Sequence, residues 1–311
     1  MTRCSILASQ KPPPSSIPTE TGAPLVSVIV PTYNRPEMLA DCLRSILNQT
    51  YPNVEIIVVN DGGVDVKKII DPLNQQNKIT SLEHPANRGM AAARNTGIAA
   101  ARGKYLAYLD DDDSYLPHHI ETLVNFLENS DCRVAYTDAH RAYIKTINGR
   151  DAVKRRDVPY AIDFDSDRML IQNYIPTLCV MHEKNCLDAT GSFDEELTVL
   201  EDWDLWIRMS RRFPFAHIRE ITCEFVWRTD GKTMSSGRRT EFWRTVELIY
   251  GKYRHLTQDK PRVRKSQRVY LRNVRIVSYL SRILGEQSAA FQLLLQILTA
   301  VHNKYYFPSK Y

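Results

Sequence analysis

Several signatures are missing from this 311-residue chain, and each absence excludes something. No G-x-G-x-x-G follows the first apolar run at residues 25–30, so a dinucleotide-binding Rossmann domain lacks its phosphate turn. A P-loop is missing too. No two of the six cysteines (4, 42, 132, 179, 186 and 223) form a C-x-x-C pair, and most lie in apolar stretches. That is the pattern of buried free thiols in a reducing compartment, not of a disulfide or zinc framework. No run of 18 apolar residues offers a membrane span. The apolar part of the N-terminus, residues 6–8, is too short for a signal peptide. The expected setting is therefore cytoplasmic. No internal repeat is visible.

What is present is ample apolar residue for a core, 43% of the chain. The net charge of +5 hides an asymmetry: residues 1–240 sum to −4 and residues 241–311 to +9. Clustered basic charge of this kind suits an anionic surface, here the inner face of a membrane contacted peripherally. The competing reading is that these helices pack on the rest of the chain. No nucleic-acid-binding motif accompanies the charge, so nucleic acid is not expected as a partner.

Patterning along the chain predicts an α/β fold with a parallel sheet. Residues 1–24, with Lys11-Pro12-Pro13-Pro14, read as a disordered leader. Strands are expected at 25–30, 54–59, 79–83, 104–109 and 133–137, separated by helices. The first helix opens on Pro36, tolerated in a first turn. Residues 145–170 are polar and charged and read as a mobile loop. A strand is expected at 174–181, a helix from Glu201, one or two strands at 215–227, and helices at 241–307. These divide the chain into a leader (1–24), a catalytic domain (25–239) and a basic helical C-terminal extension (240–311).

The focus is Asp110-Asp111-Asp112-Asp113, four carboxylates at the end of an apolar strand. Like charges packed together repel and raise one another's pKa. A divalent cation relieves this, and hard oxygen ligands favour Mg2+ or Mn2+ shared with substrate phosphates. Tyr115 at the sixth position of such a loop, where glycine is needed, excludes an EF-hand. In an open α/β sheet, ligands bind at the carboxyl ends of strands. Two other strands end in polar loops there: Pro31-Thr32-Tyr33-Asn34-Arg35 and Asn60-Asp61-Gly62-Gly63. A crevice so lined fits a sugar nucleotide. Asp61 can accept from a base N–H, Thr32 and neighbouring backbone can frame the base, and Arg94 can sit near base or phosphates. Taken singly, Asp61 is a turn former and Arg94 a surface charge.

These segments, with Asn87-Arg88-Gly89, Ala93-Arg94-Asn95-Thr96-Gly97 and Glu201-Asp202-Trp203-Asp204, resemble in order the motifs of family 2 glycosyltransferases over residues 24–235. The resemblance implies a GT-A fold, a nucleotide-binding sheet flanked by helices, and transfer with inversion from a nucleotide-diphosphate-sugar, a UDP-sugar first. It implies a hydroxyl acceptor on a glycan or lipid-linked saccharide. By resemblance, Pro31, Thr32, Asp61, Arg94, Asp110 and Asp111 serve the donor, with Asp61 on the base and Asp110 on the ribose or in the metal shell. Asp112 then ligates the metal. Asp202 is the catalytic base, with Glu201 the second candidate. Where relatives carry a histidine after the last core strand this chain has Asp230, a third candidate metal ligand. Trp203 and Trp206 are candidates for stacking on a sugar ring or for core, the latter favoured for Trp206. The alternative to an enzyme is a silent sugar-nucleotide-binding or scaffold protein. A nucleotidyltransferase would need a glycine-rich basic loop after the first strand, which Pro31–Arg35 is not.

Overall fold

A computed structural model describes residues 22–147, 150–228 and 239–285, with Ser288 and Phe291. The expected leader, Asp230 and most of the chain after Gly285 lie outside the described residues.

One half of the molecule is the predicted parallel sheet. Strands β1 (Val26–Thr32), β2 (Val54–Asn60), β3 (Ile79–Glu83) and β4 (Tyr105–Tyr108) pair in the spatial order β3-β2-β1-β4, all parallel. β1, β2 and β4 are buried along their whole length. That is why they read as continuous apolar runs and not as alternation. Helix α1 (Pro36–Leu47) buries Leu39, Cys42, Leu43 and Ile46, one face of a 3.6-residue period. Helix α2 is short, Lys67–Leu73, and α3 spans Met90–Ala100. Alanines and a glycine let α3 lie close on the sheet: a Cβ on Gly97 would stand 2.5 Å from Ile29 Cγ2.

The other half departs from expectation. After a two-residue strand β5 (Ser114–Tyr115) and helix α4 (His119–Glu128), strand β6 runs Val134–Ile147, far beyond the predicted stop at 137. It turns into β7 (Arg150–Asp157), antiparallel to it, where a mobile loop was expected. The polar run is a strand because its side chains are satisfied in place: Arg141 grips Asp157 with two hydrogen bonds of 2.8 and 2.7 Å, and Arg156 pairs with Glu224. The strand expected at 174–181 is instead a 3-10 turn, Thr177–Cys179, leading to a short β8 (Val180–Glu183), since Pro176 breaks the extended run. β8 sits antiparallel between β4 and β6. Two short helices, α5 (Ser166–Met169) and α6 (Cys186–Thr190), precede α7 (Glu201–Ser210). A single strand β9 (Phe215–Arg228) then lies parallel to β6. The result is one nine-stranded mixed sheet among the described residues.

Helices α8 (Arg239–Lys252) and α9 (Pro261–Leu284) dock on this body. Val246, Ile249, Tyr253 and Val263 are buried. Lys252 and Tyr253 reach the fully buried Asp204 of α7 at 2.7 Å each, and Gln267 donates to the Leu170 carbonyl. The first part of the basic tail is thus a packed element. No described helix is long and apolar enough to cross a membrane.

Candidate active site

The carboxyl ends of β1, β2 and β4 converge. β4 stops at Tyr108 and releases the acidic run. Asp111 turns inward and is fully buried, accepting from Thr32 Oγ1 at 2.7 Å and facing Arg35 at 2.9 Å. Asp112 and Asp110 stay partly open. Asp112 is paired with Arg35 at 2.8 Å, and Asp110 with Arg94 at 2.7 Å. Asp113 accepts from the Val226 amide of β9 at 3.0 Å. Two guanidiniums therefore answer much of the charge that the sequence reading assigned to a metal. They do not answer all of it. Burial pushes Asp111 up to about 7, and Asp112 is raised by burial, with Arg35 opposing and Asp110 adding to the rise.

β2 delivers Asp61, buried and accepting from the amides of Arg88 (2.9 Å) and Gly89 (2.8 Å) and contacting His84 Nδ1 at 2.7 Å. Three contacts leave roughly one of a carboxylate's four acceptor sites. Gly62 takes φ +72°, and a Cβ there would lie 2.4 Å from Ala86, so this turn admits only glycine. Asn34, itself left-handed, accepts from the Val64 amide and ties the β1 loop to the β2 loop. Pro31 is buried within β1 opposite Val59 and shapes the loop rather than facing it.

Arg94 joins the two halves. Only 2% exposed, it donates to Asp110 on one side and to Glu201 on the other, and packs over the Phe193 ring. Asn95 holds the 193–195 turn through the Phe193 backbone and Glu195. Leu200 is forced into left-handed φ (62°) just before α7, strain of the kind that persists at functional sites. Glu201 and Asp202 then take different neighbours. Glu201 is the counter-ion of Arg94. Asp202 accepts from Asn173 (2.8 Å), Thr177 (3.0 Å) and the Trp203 amide (2.8 Å). Burial raises the pKa of both, with Arg94 opposing. Trp203 and Trp206 are fully buried, donating to the carbonyls of Met169 and Ile175, so neither presents a ring face to a sugar.

Sequence reasoning did not single out Arg35, His84, Asn173 or Thr177. Arg35 lies in the loop after β1, but its partners Asp111 and Asp112 are 76 and 77 positions away and nothing local marks the pairing. Among the described residues, no three His, Cys, Asp or Glu side chains form a metal cage. Asp110 and Asp112 nonetheless fit a Mg2+-type ion, which takes one or two carboxylates and completes its shell with phosphate and water.

Residues 27–186, half of the chain, match the family model described as glycosyl transferase family 2. The uncharacterized glycosyltransferase YwdF of Bacillus subtilis is 31% identical over 202 residues, 65% of this chain and 72% of its own. An uncharacterized glycosyltransferase of Rickettsia prowazekii is 34% identical over 198 residues, covering 61% of this chain, which spans only 59% of that relative. Among solved structures, TarS of S. aureus (residues 1–349) with UDP-GlcNAc gives a TM-score of 0.61 at 16% identity, covering 91% of this chain and 89% of that one. The mannosyltransferase PcManGT of Pyrobaculum calidifontis, in complex with GDP-Man and Mn2+, gives 0.61 at 16% identity, covering 96% and 87%. At such identities the structural likeness speaks for the fold alone, which is GT-A. By the family model and the Bacillus relative together, the chain belongs to glycosyl transferase family 2.

Proposed function

We propose that the protein is an inverting glycosyltransferase moving a hexose-type sugar from a nucleotide-diphosphate-sugar, a UDP-sugar first, to a hydroxyl of a glycan or lipid-linked acceptor. The observation that carries this reading is the Arg94 bridge, which links Asp110 of the acidic run to Glu201, the residue next to Asp202. In this reading Asp61 offers its remaining acceptor site to the base, and Asp111 holds the loop by gripping Thr32 and Arg35. The neighbours crystallised with UDP-GlcNAc, UDP and GDP-Man support a sugar-nucleotide donor.

A general base must be free to take a proton. Glu201 is committed to a permanent cation, whereas Asp202 is held by neutral donors, so Asp202 is the better base. Asn173 and Thr177 fix its orientation. Burial raises its pKa towards the working pH, which strengthens it as a base. Asp112, with Asp110, would hold Mg2+ or Mn2+, a Lewis acid that stabilises charge developing on a leaving diphosphate. Asp230, outside the described residues, remains a candidate ligand.

The exposed side of α9 supports peripheral contact with an anionic membrane. Arg262, Arg264, Lys265, Arg268, Arg272, Arg275 and Arg282 are exposed along it, with Tyr279 and Ile283 exposed near its end. Each basic residue near anionic lipid contributes roughly 1 kcal/mol. The central test is a donor screen measuring nucleoside diphosphate release with Mn2+ or Mg2+ present. Release from one or two sugar nucleotides is expected. Donor binding without release, with every acceptor tried, would overturn the enzymatic reading in favour of a silent binding protein.

A further inference from the structure

Strand β9 has two faces that lead to different places. Glu224, Val226 and Arg228 alternate with Cys223, Phe225 and Trp227, because side chains on a strand point to opposite sides in turn. Arg228 reaches Met38 of α1, on the donor side. The other face descends into the core beneath the base, where Cys223 and Cys179 are fully buried. Cys223 Sγ lies 3.6 Å from Cys179 Sγ, and Thr177, on the same 3-10 turn as Cys179, donates to Asp202. From Cys223 to Trp227 this face runs about 13 Å away from that contact.

The register sets out what stands on it. β6 places Arg141 beside Phe225 and Tyr143 beside Trp227. β7 adds Asp157 beside Arg141 and Arg155 beside Tyr143. Tyr160 stacks on Phe225 from above, with centroids 6.1 Å apart. The far end is a ladder of alternating rings and guanidiniums. Arg141 packs over Trp227 (5.7 Å) and Tyr143 (4.9 Å), and Arg155 packs over Tyr143 at 3.6 Å. Asp157 is already occupied by two hydrogen bonds from Arg141 and one from Tyr143. Its contact with Arg155 is long, 3.6 Å, and the Arg155 side chain is 58% exposed. Stacking holds the Arg155 plane while leaving donors at its edge. A planar, pre-oriented guanidinium is suited to bidentate capture of a carboxylate or phosphate.

We infer that this face is the acceptor track, and that Arg155 at its far end selects an acceptor carrying an acidic group roughly 13 Å or more from the accepting hydroxyl, several sugar units along the chain. The inference rests on the reading of Asp202 as acceptor-side base. The shared chemistry is an anionic oxygen group on a saccharide or polyol chain, and either a uronate or a phosphodiester supplies it.

The test is direct binding, independent of turnover and of donor. Tetragalacturonate, a glycerol phosphate tetramer and neutral maltotetraose are titrated calorimetrically into the full chain. Binding of one acidic probe about tenfold tighter than the neutral one is expected, the scale of one charge-assisted contact. Arg155→Gln should abolish the preference and Arg155→Lys keep part of it, since the charge survives but the fork does not. Lys68→Gln on α2, an exposed charge in the parallel half, should leave it intact. Which acidic probe binds tighter names the group. Equal binding of acidic and neutral probes to the wild type overturns the inference. So does an Arg155→Gln protein that keeps the preference, or a loss seen with Lys68→Gln instead. A failed donor screen alongside the expected binding pattern would sink the enzymatic reading while leaving the track as a saccharide site.

Discussion

Replacing Arg94 by methionine keeps the length of the side chain and removes the cation that joins the two halves of the site. The Arg94 side chain is 3% exposed, while the Glu201 and Asp110 side chains it serves are 9% and 30% exposed. Removing one partner of a buried ion pair costs about 3–5 kcal/mol, because the other charge stays behind uncompensated. Asp110 is open enough for water to take over its share. Glu201 is not, so the loss should sit near the lower end, about 3 kcal/mol. Its size should depend on pH. Glu201 already has a raised pKa from burial, and without Arg94 that pKa rises further. A carboxylate whose folded pKa lies above its unfolded value binds more protons in the folded state, so stability falls as pH rises between the two. The deficit of Arg94→Met should therefore be larger at pH 8 than at pH 5. Urea unfolding at both pH values measures it, and the double variant Arg94→Met with Glu201→Leu should regain most of the loss. A deficit under about 1 kcal/mol at pH 8, far below the cost of stranding a buried charge, would refute the account of Arg94 as the central counter-ion.

Four further outcomes follow from the same structure. Asp112→Asn should abolish most metal-dependent turnover while leaving the fold intact, since an amide still accepts from Arg35; wild-type turnover indifferent to EDTA would remove the metal from the scheme. Asp202→Asn should lower kcat by about 10²–10⁴ with donor affinity nearly unchanged, and the acid limb of the wild-type pH profile should lie above the ordinary aspartate range because burial raises this carboxyl; near-normal kcat would move the role to another carboxylate. Burial lowers His182 to about 4, with its neutral ring held between the Tyr108 hydroxyl and the Glu183 carbonyl. Its contribution is full above the unfolded value near 6.5 and is lost as pH falls towards 4, roughly 3 kcal/mol in all; a His182→Gln protein should show a flatter fall in Tm between pH 7 and 4.5, and an equally steep one would contradict this. The full chain should sediment with anionic liposomes in a salt-sensitive way, and charge-neutralising Arg264→Gln, Arg268→Gln and Arg272→Gln together should weaken this; no sedimentation at low salt would leave α9 a purely structural helix.

The parallel half of the sheet was legible because its signals are local. Continuous apolar runs at β1, β2 and β4 and the spacing of Leu39, Leu43 and Ile46 need no knowledge of distant partners. The β6–β7 hairpin was not legible. Lys154-Arg155-Arg156-Asp157 looks like a solvated loop until Arg141, Tyr143 and Glu224 are seen to receive its charges. The acidic run shows the same limit within the site. Counting four carboxylates correctly announced a need for positive charge. Which cation answers it is a tertiary fact: Arg35 comes from the loop after β1 and Arg94 from α3. The resemblance favoured Asp202 over Glu201, but the different partners of the two were not legible in a string where they are neighbours. One backbone step turns the first towards Arg94 and the second towards Asn173 and Thr177.

The same dependence on register governs β9, whose two faces are separated by the thickness of one strand. Because side chains alternate with a period of two, a slip of one residue would exchange the faces of Phe225 and Trp227 with that of Arg228. Something must pin the register, and it lies at the irregularity where β6 passes Thr137 to Ala139. There Thr222 donates to Thr137 at 2.7 Å, His119 contacts Thr222 at 2.6 Å, and His217 contacts Asp138 at 2.8 Å. These are buried polar contacts, and a slipped strand would leave them unpaired, each at a cost of about 1–3 kcal/mol. Below the irregularity, apolar burial alone could tolerate more than one pairing. With it, the Val226 backbone amide donates to Asp113 at the strand edge while the Cys223 side chain meets Cys179 on one face. This polar lock, which adjoins Cys223 at the Asp138 carbonyl, thus decides which side chains stand on each face of β9.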